Sequence, residues 1–223
     1  MQKFDTPAAI AAVLNIPAGR IQVIAADRAD TTVEVWPADP AKGRDVKAAE
    51  QTKVEFADGV LRVDGPEVAN QLFGPSGSIE VTVRLPAGSR VEAKAAAAEF
   101  RGVGRLGEVA CAGAHGTVKI DEAASVRIAA HAGDVTVGRL TGPAEITVEK
   151  GGIAIAEAFA GAVVLRTRMG DVTVGAARGV SANLDAGTTY GRIQNTLYNA
   201  EGAGAGLRIH ATTDYGDITA RSL

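Results

Sequence analysis

The chain has 223 residues, of which 46% are hydrophobic and 22% charged, and its formal net charge is −3. This slightly acidic balance, with both signs interspersed, provides no basic surface for nucleic acid or anionic lipid. No run of about 18 apolar residues occurs, which argues against membrane insertion. The single cysteine, Cys111, cannot form an internal disulfide, and the first residues do not have the pattern of a signal peptide. We therefore expect a cytoplasmic protein.

The first part of the chain has the pattern of a strand-rich module. Seven of the eight prolines precede residue 90 and 20 of the 27 glycines follow it, so the composition changes near residues 86–88. Alternating apolar and polar residues predict half-buried strands at 20–24, 32–36, 53–56, 60–63 and 78–83, with a short helix over 42–51. The turn residues between them favour antiparallel pairing. We predict an antiparallel β module over residues 1–90 that caps the remainder of the chain.

A repeat occupies residues 91–223. Its units align on glycines spaced by 17, 18, 19, 21 and 25 residues: Gly116, Gly133, Gly151, Gly170, Gly191 and Gly216. Positions seven and five residues before each glycine, and two and four after it, are apolar in 23 of 24 cases, the exception being Asn195. A degenerate unit around Ala98 precedes them. Such internal periodicity is typical of repeat architectures.

The spacing within each unit predicts two short strands that each direct two side chains inward, joined at a glycine corner. This pattern favours a flattened β-solenoid over a left-handed hexapeptide helix, which would place one apolar residue in every six. The predicted fold is all-β: the 1–90 module leads into a single-stranded β-helix of about seven short rungs, and the two could form one continuous domain. We expect the units to stack in chain order, with Tyr190, Tyr198 and Tyr215 shielding the far end.

Three aspartates directly follow corner glycines: Asp134, Asp171 and Asp217. We interpret them as turn residues whose carboxylates bond their own backbone. The alternative is a carbohydrate-active site built from Asp134 and Asp171, which two rungs of spacing would separate by about 10 Å. Calcium-binding repeats carry a more regular aspartate than this one. Whether these corners bind an ion is left open by the sequence.

The other candidate groups are three histidines, the cysteine and four basic residues. His115 and His131 are predicted near one corner of successive rungs, yet neither they nor His210 have zinc-site spacing, and solvated histidines are favoured over an ion site. Cys111 falls in an inward column, which predicts an inert buried thiol. The basic residues predict a solvated face: Arg127, Lys150, Arg166 and Arg168. We assign no catalytic, cofactor-binding or metal-binding residue and expect no cofactor.

Several short motifs, in order, resemble one family. They are Phe4-Asp5-Thr6-Pro7, the segments 45–52 and 83–89, Gly104-Arg105-Leu106-Gly107-Glu108, the repeated Gly-Asp-Val-Thr-Val, and Tyr215-Gly216-Asp217-Ile218-Thr219. Together they resemble the bacterial "putative adhesin", or Toastrack, β-strand-repeat proteins over nearly the whole chain. The resemblance implies a single-stranded β-helix used as a surface or scaffold module, and it implies no catalytic residues.

The sequence supports three functional hypotheses. The leading one is a non-enzymatic β-solenoid that presents its faces or its terminal edge to a protein partner, which could be a second copy. The second is a scaffold that polymerises end to end. The third, from another class, is a carbohydrate-active β-helix enzyme that uses Asp134 and Asp171. No motif in the sequence identifies the partner.

Overall fold

The computed structural model describes residues 1–66 and 77–223. It divides into two compact units, Met1–Gly116 and Thr117–Leu223. Residues 67–76 of the predicted 1–90 module lie outside the described residues. Among those described, no helix has the length and apolar character needed to cross a bilayer.

The first unit contains eight strands and one helix among its described residues. They are β1 (Gln2–Asp5), β2 (Ala11–Asn15), β3 (Ala18–Ala26), β4 (Asp30–Pro37), α1 (Gly43–Gln51), β5 (Lys53–Ala57), β6 (Val60–Asp64), β7 (Ile79–Pro86) and β8 (Arg90–His115). The helix predicted over residues 42–51 is confirmed. Strand β8 begins where the sequence analysis placed the start of the repeats, but the compact unit continues to Gly116 because β8 pairs with β2 and β3. The division into a module over residues 1–90 and repeats from residue 91 stays a prediction.

Pairing in the first unit is mixed rather than purely antiparallel. Strand β2 is parallel to β6 and β8, and β3 is parallel to β7 and β8. The strands β2 and β3 thus form a rung of the repeat type. Their inward residues Ala12, Leu14, Ile21 and Val23 surround Gly19 at the same offsets as in the later units. This rung was not predicted from the sequence.

The outer edge of the first unit carries the antiparallel strands that the sequence predicted. Strand β4 is antiparallel to β7, β1 to β4, and β5 to β6. Helix α1 is tied to the start of β7 because the backbone N–H of Ser78 donates to the buried carboxylate of Asp45 at 3.0 Å. These elements lie beside the parallel rungs of the first unit. The capping role expected of residues 1–90 stays a prediction.

The second unit contains ten strands: β9 (Val118–Ala132), β10 (Val135–Leu140), β11 (Ala144–Lys150), β12 (Ile153–Ala158), β13 (Gly161–Met169), β14 (Val172–Ala176), β15 (Ala182–Tyr190), β16 (Ile193–Thr196), β17 (Leu207–Tyr215) and β18 (Ile218–Ser222). All pairing in this unit is parallel. The two strands of a rung belong to two ladders, and the predicted aliphatic columns are buried between them, as at Ile146, Leu165 and Val174. The β-solenoid interpretation is confirmed.

The rungs of the second unit do not stack in chain order. Strand β17 lies between β13 and β15, and β18 lies between β14 and β16. The last rung of the chain, β17–β18, is therefore inserted one place in from the edge, which corrects the expected sequential order. In this position the backbone N–H and C=O groups of β17 and β18 have a hydrogen-bonded strand on either side.

Hydrogen bonds from threonine side chains follow the same stacking order of the rungs. The hydroxyl of Thr167 donates to the carbonyl of Gly151 at 2.8 Å, and that of Thr213 donates to Gly170 at 3.0 Å. The hydroxyl of Thr188 then donates to Gly216 at 3.0 Å. Each threonine thus binds the corner glycine of the rung beneath its own, and the sequence Gly151, Gly170, Gly216 follows the stack.

The corner glycines are required by both conformation and space. Gly170 and Gly216 have φ values of 153° and 154°, which side-chain-bearing residues rarely adopt. A Cβ at Gly170 would clash with the carbonyl oxygen of Gly151, and one at Gly216 would clash with that of Gly170. The predicted glycine corners are therefore required at these two positions by the backbone conformation and by the adjacent rung.

Replacing a corner glycine should destabilise the fold. We expect Gly170→Ala to lower the free energy of unfolding by about 3 kcal/mol or more, because a strained φ and a backbone clash add. Gly187→Ala in β15 is the matched control, since a Cβ there meets open space and its φ is not positive. Urea unfolding of both variants measures the difference. Equal stability of the two would contradict the role of the corner.

Candidate functional site

The edge of the second unit is formed by β15 and β16, which we call the terminal rung together with their corner residues Gly191 and Arg192. Strand β15 pairs with β17 and β16 pairs with β18, each on one side. Within residues 1–66 and 77–223, no strand pairs with the other side. Unpaired N–H and C=O groups of an edge strand form a template for another chain.

The terminal rung exposes side chains that are buried one rung further in. Ile193 is 45% exposed, whereas Ile218, its partner in register, is 1% exposed. Leu184 is half-buried beside the buried Ile209. The apolar columns of the solenoid therefore reach solvent at this edge, and burying them would be favourable.

The segment between β16 and β17 covers only the beginning of this edge. The N–H of Ala182 donates to the carbonyl of Tyr198 at 3.0 Å, and the N–H groups of Ala200 and Glu201 donate to the hydroxyl of Ser181. Tyr198 itself is 58% exposed. The expectation that three tyrosines shield the end is therefore wrong, because the rest of β15 and β16 stays uncovered.

Two of those tyrosines instead form a stacked pair. The rings of Tyr190 and Tyr215 lie 4.9 Å apart with an interplanar angle of 7°, and both side chains are exposed. Met169, in register with Tyr215 on the next strand, extends this exposed column. The two tyrosines are neighbours only because β17 lies beside β15, so the sequence analysis could not identify the pair from spacing.

The corner aspartates bind backbone in the neighbouring rung rather than their own turn. The Oδ1 atom of Asp134 accepts from the N–H of Gly152, and that of Asp171 accepts from the N–H of Asp217, both at 2.8 Å. Asp217 accepts in the same way from the N–H of Arg192. The prediction that each carboxylate accepts a hydrogen bond from its own turn is therefore wrong, because the donor N–H lies in the neighbouring rung. These bonds give the three carboxylates a structural role between rungs.

Arg192 changes the corner chemistry at the terminal rung. It occupies the position that is aspartate in the rungs of Asp171 and Asp217, so this rung has no carboxylate with which to hold a further rung. Its guanidinium lies 3.4 Å from the Asp217 carboxylate, yet the side chain remains 81% exposed. The terminal rung therefore presents a cation where the rungs of Asp134, Asp171 and Asp217 present a carboxylate acceptor.

His131 and His210 each contact a carboxylate rather than another histidine. His131 is 3.0 Å from Glu149 and His210 is 2.9 Å from Asp185, so each faces a carboxylate on an adjacent strand. Hydrogen bonding to His131 lowers the pKa of the Glu149 carboxyl. His115 is exposed at the end of β8. In the described part of the chain, no group of three or more histidine, cysteine or acidic residues is placed to hold a metal ion.

The basic residues of the predicted solvated face are exposed and interspersed with acids. Arg127 lies 3.5 Å from Glu145, and Arg168 lies 3.9 Å from Asp214. Exposed pairs of this kind contribute little to stability. Together they form a mixed-charge surface rather than a basic patch.

Cys111 lies in β8 as a free, half-buried residue. Burial of its thiol raises the pKa to about 12. A thiol with such a pKa is almost entirely protonated at neutral pH and is a poor nucleophile. The residue is half-buried rather than fully buried, so the packing role predicted for Cys111 stays a prediction.

The first unit has an open groove of about 990 Å³, whose lining includes Ile16, Pro17, Asp64 and Lys94. The amide of Asn15 donates to Asp64 at 2.6 Å, and Lys94 is paired with Glu92 at 3.0 Å. Because these polar groups already bind one another, the groove is a less distinctive site than the terminal rung.

Comparisons with known proteins identify a family and several matching solved structures. The family model described as Toastrack DUF4097 matches residues 13–222, from within β2 to the end of β18. A "putative adhesin" from Bacteroides fragilis is 12% identical, with 100% of this chain and 95% of that chain covered and a TM-score of 0.46. A "putative adhesin" from Parabacteroides distasonis is 14% identical, with the same coverages and a TM-score of 0.42. A "putative cell adhesion protein" from Clostridium sporogenes is 10% identical, with coverages of 100% and 98% and a TM-score of 0.40. No curated protein matches the chain.

Removing a corner carboxylate should weaken the stack. We expect Asp171→Ala to lower the free energy of unfolding by about 1 kcal/mol, because the N–H of Asp217 loses its acceptor. Asp171→Asn keeps an acceptor oxygen and should lose less. Asp214→Ala is the control, since its pairing with Arg168 is loose and exposed. Chemical denaturation compares the three, and indistinguishable losses for Asp171→Ala and Asp214→Ala would refute the ladder role.

The Cys111 thiol should be unreactive until the protein unfolds. At pH 8 we expect a disulfide reagent to modify the native thiol at least about tenfold more slowly than the same protein in denaturant, because little thiolate is present. The native rate should rise as the pH approaches 12. Absorbance of the released thiol follows both reactions, and equal rates in the two states would show that the thiol is not protected.

Proposed function

Because the chain belongs to the Toastrack DUF4097 family, we propose that it is a non-enzymatic β-solenoid scaffold that binds a protein partner at the terminal rung. The partner contributes an extended segment that adds to the free edge of β15 and β16. The observation that carries this proposal is the edge itself, where two adjacent strands pair on one side and the apolar columns reach solvent.

Strand β15, the longer strand of the terminal rung, lacks the features by which sheet proteins protect an edge. Natural edge strands are short, bent by bulges, or marked by lysine or proline. Strand β15 has nine residues and, like β16, contains no lysine or proline. Its single charged residue, Asp185, is paired with His210. An edge of this kind supports strand addition, in which backbone bonds provide affinity and side-chain contacts provide specificity.

The first unit provides a contrast within the same chain. There the parallel rungs are followed by the antiparallel strands β4, β5 and β1. Antiparallel strands follow the parallel rungs in the first unit but, within the described part of the chain, not at the terminal rung. This difference supports the proposal that the terminal rung binds a partner. We place the partner in the cytoplasm, as predicted from the sequence.

Site-specific crosslinking tests the proposal. A photoreactive residue at Gln194, exposed in β16, should capture a protein in lysate from the native cell, whereas the same residue at Thr136, exposed in β10, should not. We expect Ile193→Lys to reduce capture at least about tenfold, because it places a charge in the apolar column that the partner would bury. Thr136→Lys is the matched control.

Three results would count against the proposal. The first is capture of the same proteins from both positions, and the second is capture unaffected by Ile193→Lys in a protein whose circular dichroism is unchanged. The third is an adduct that consists only of a second copy of the chain. That result, with a mass that rises with concentration in light scattering, would instead support the end-to-end scaffold hypothesis.

A further inference from the structure

We infer that the segment bound at the terminal rung runs parallel to β15 and carries an aromatic–glycine–acid tripeptide opposite Tyr190, Gly191 and Arg192. This inference rests on the proposed function and specifies the partner's chemistry. It is based on three contacts that Tyr190, Gly191 and Arg192 make with the rung on their inner side. A strand bound on the outer side would repeat these contacts.

The aromatic residue is specified by the tyrosine pair. Tyr215 covers one face of the Tyr190 ring at 4.9 Å, yet Tyr190 is still 64% exposed. In parallel strands, side chains in register lie above one another, so the next strand places a side chain over the open face. An aromatic side chain there continues the column that begins with Met169 and Tyr215, and offset or stacked rings attract one another.

The glycine is specified by the corner. At Gly170, Gly216 and Gly191, a Cβ would clash with the carbonyl oxygen of the corner glycine in the rung beneath. A strand that continues the stack brings its own corner residue onto the Gly191 carbonyl at the same spacing. That residue must therefore lack a Cβ, since the space is set by backbone on both sides.

The acidic residue is specified by Arg192. On its inner side, Arg192 is bonded to Asp217 through both its N–H and its guanidinium. Its side chain is 81% exposed, and guanidinium has donors for a second carboxylate. Arg192 therefore favours an acid at this place in the next strand, whereas the corners of Asp134, Asp171 and Asp217 present a carboxylate there.

The neighbouring rung of the same chain shows the three contacts together. Tyr215-Gly216-Asp217 stacks on Tyr190-Gly191-Arg192, with ring, corner and ion-pair contacts all present. It is the one aromatic–glycine–acid tripeptide in the sequence. Because it is already held between two rungs, a second copy has no free tripeptide to contribute, and the occupant is a different protein.

A synthetic peptide tests the inference. The probe is a fluorescent 16-residue peptide with the sequence of residues 207–222, added to the full-length chain and followed by anisotropy. We expect saturable binding that falls at least about tenfold when the peptide carries Tyr215→Ala, Gly216→Val or Asp217→Arg. Hydrogen exchange should show new protection in residues 183–196.

A charge exchange provides the sharper measurement. We expect Arg192→Asp in the protein to weaken the parent peptide and to restore binding of the Asp217→Arg peptide. Arg192→Gln is the milder second variant, which should weaken the parent peptide and leave an Asp217→Asn peptide unaffected. Thermal unfolding confirms that both variants fold.

The inference is overturned by any of four results. They are no binding at millimolar peptide, equal binding of a scrambled peptide, failure of the charge exchange to restore affinity, and loss of protection in β17, which would mean that the peptide replaces the native strand. If the peptides fail in these ways while Gln194 still captures a protein that Ile193→Lys releases, the inference is wrong and the proposed function stands. If neither peptide nor protein binds, both are wrong.

Discussion

The structure depends on close backbone contact between stacked rungs at the glycine corners. Parallel rungs hydrogen-bond along their whole length only if their corners approach as closely as their strands do, and a side chain at the corner would hold them apart. The absence of a Cβ at Gly151, Gly170 and Gly216 allows that approach. The aliphatic columns, the threonine hydroxyls that bind corner carbonyls and the aspartates that bind the next rung all require the same spacing.

The exchange of order among the last rungs determines where the functional edge lies. If the rungs followed chain order, β17–β18 would form the edge. Because β17–β18 is inserted beside β13 and β14, the edge is formed by an internal segment that is continuous at both ends. A binding edge made from such a segment resists fraying. The first unit uses the same device, since β2–β3 lies between β6–β7 and β8.

Much of the fold was predictable from local pattern, and most of the candidate site was not. The repeat offset that identified six units also fits Ala12, Leu14 and Gly19. The period does not continue into the next strands, β6 and β7, and the alternating strands of this region favoured an antiparallel interpretation. The corner aspartates were recognised as structural, although their bonds cross to another rung. The tyrosine pair joins residues 25 apart in sequence, and no period relates them to a binding edge.

The sequence by itself determined that this protein is a stack of two-stranded units, because inward side chains must be aliphatic at fixed offsets and corners must be glycine whichever rungs they contact. Only the tertiary structure decided the order of the stack. The units are nearly equivalent in the strands that they offer, so local pattern cannot distinguish the neighbours of Gly191 from those of Gly216. That order places Tyr215 against Tyr190, buries β18 and leaves Arg192 at an open edge, because pairing of equivalent strands is chosen by the packing of the whole unit.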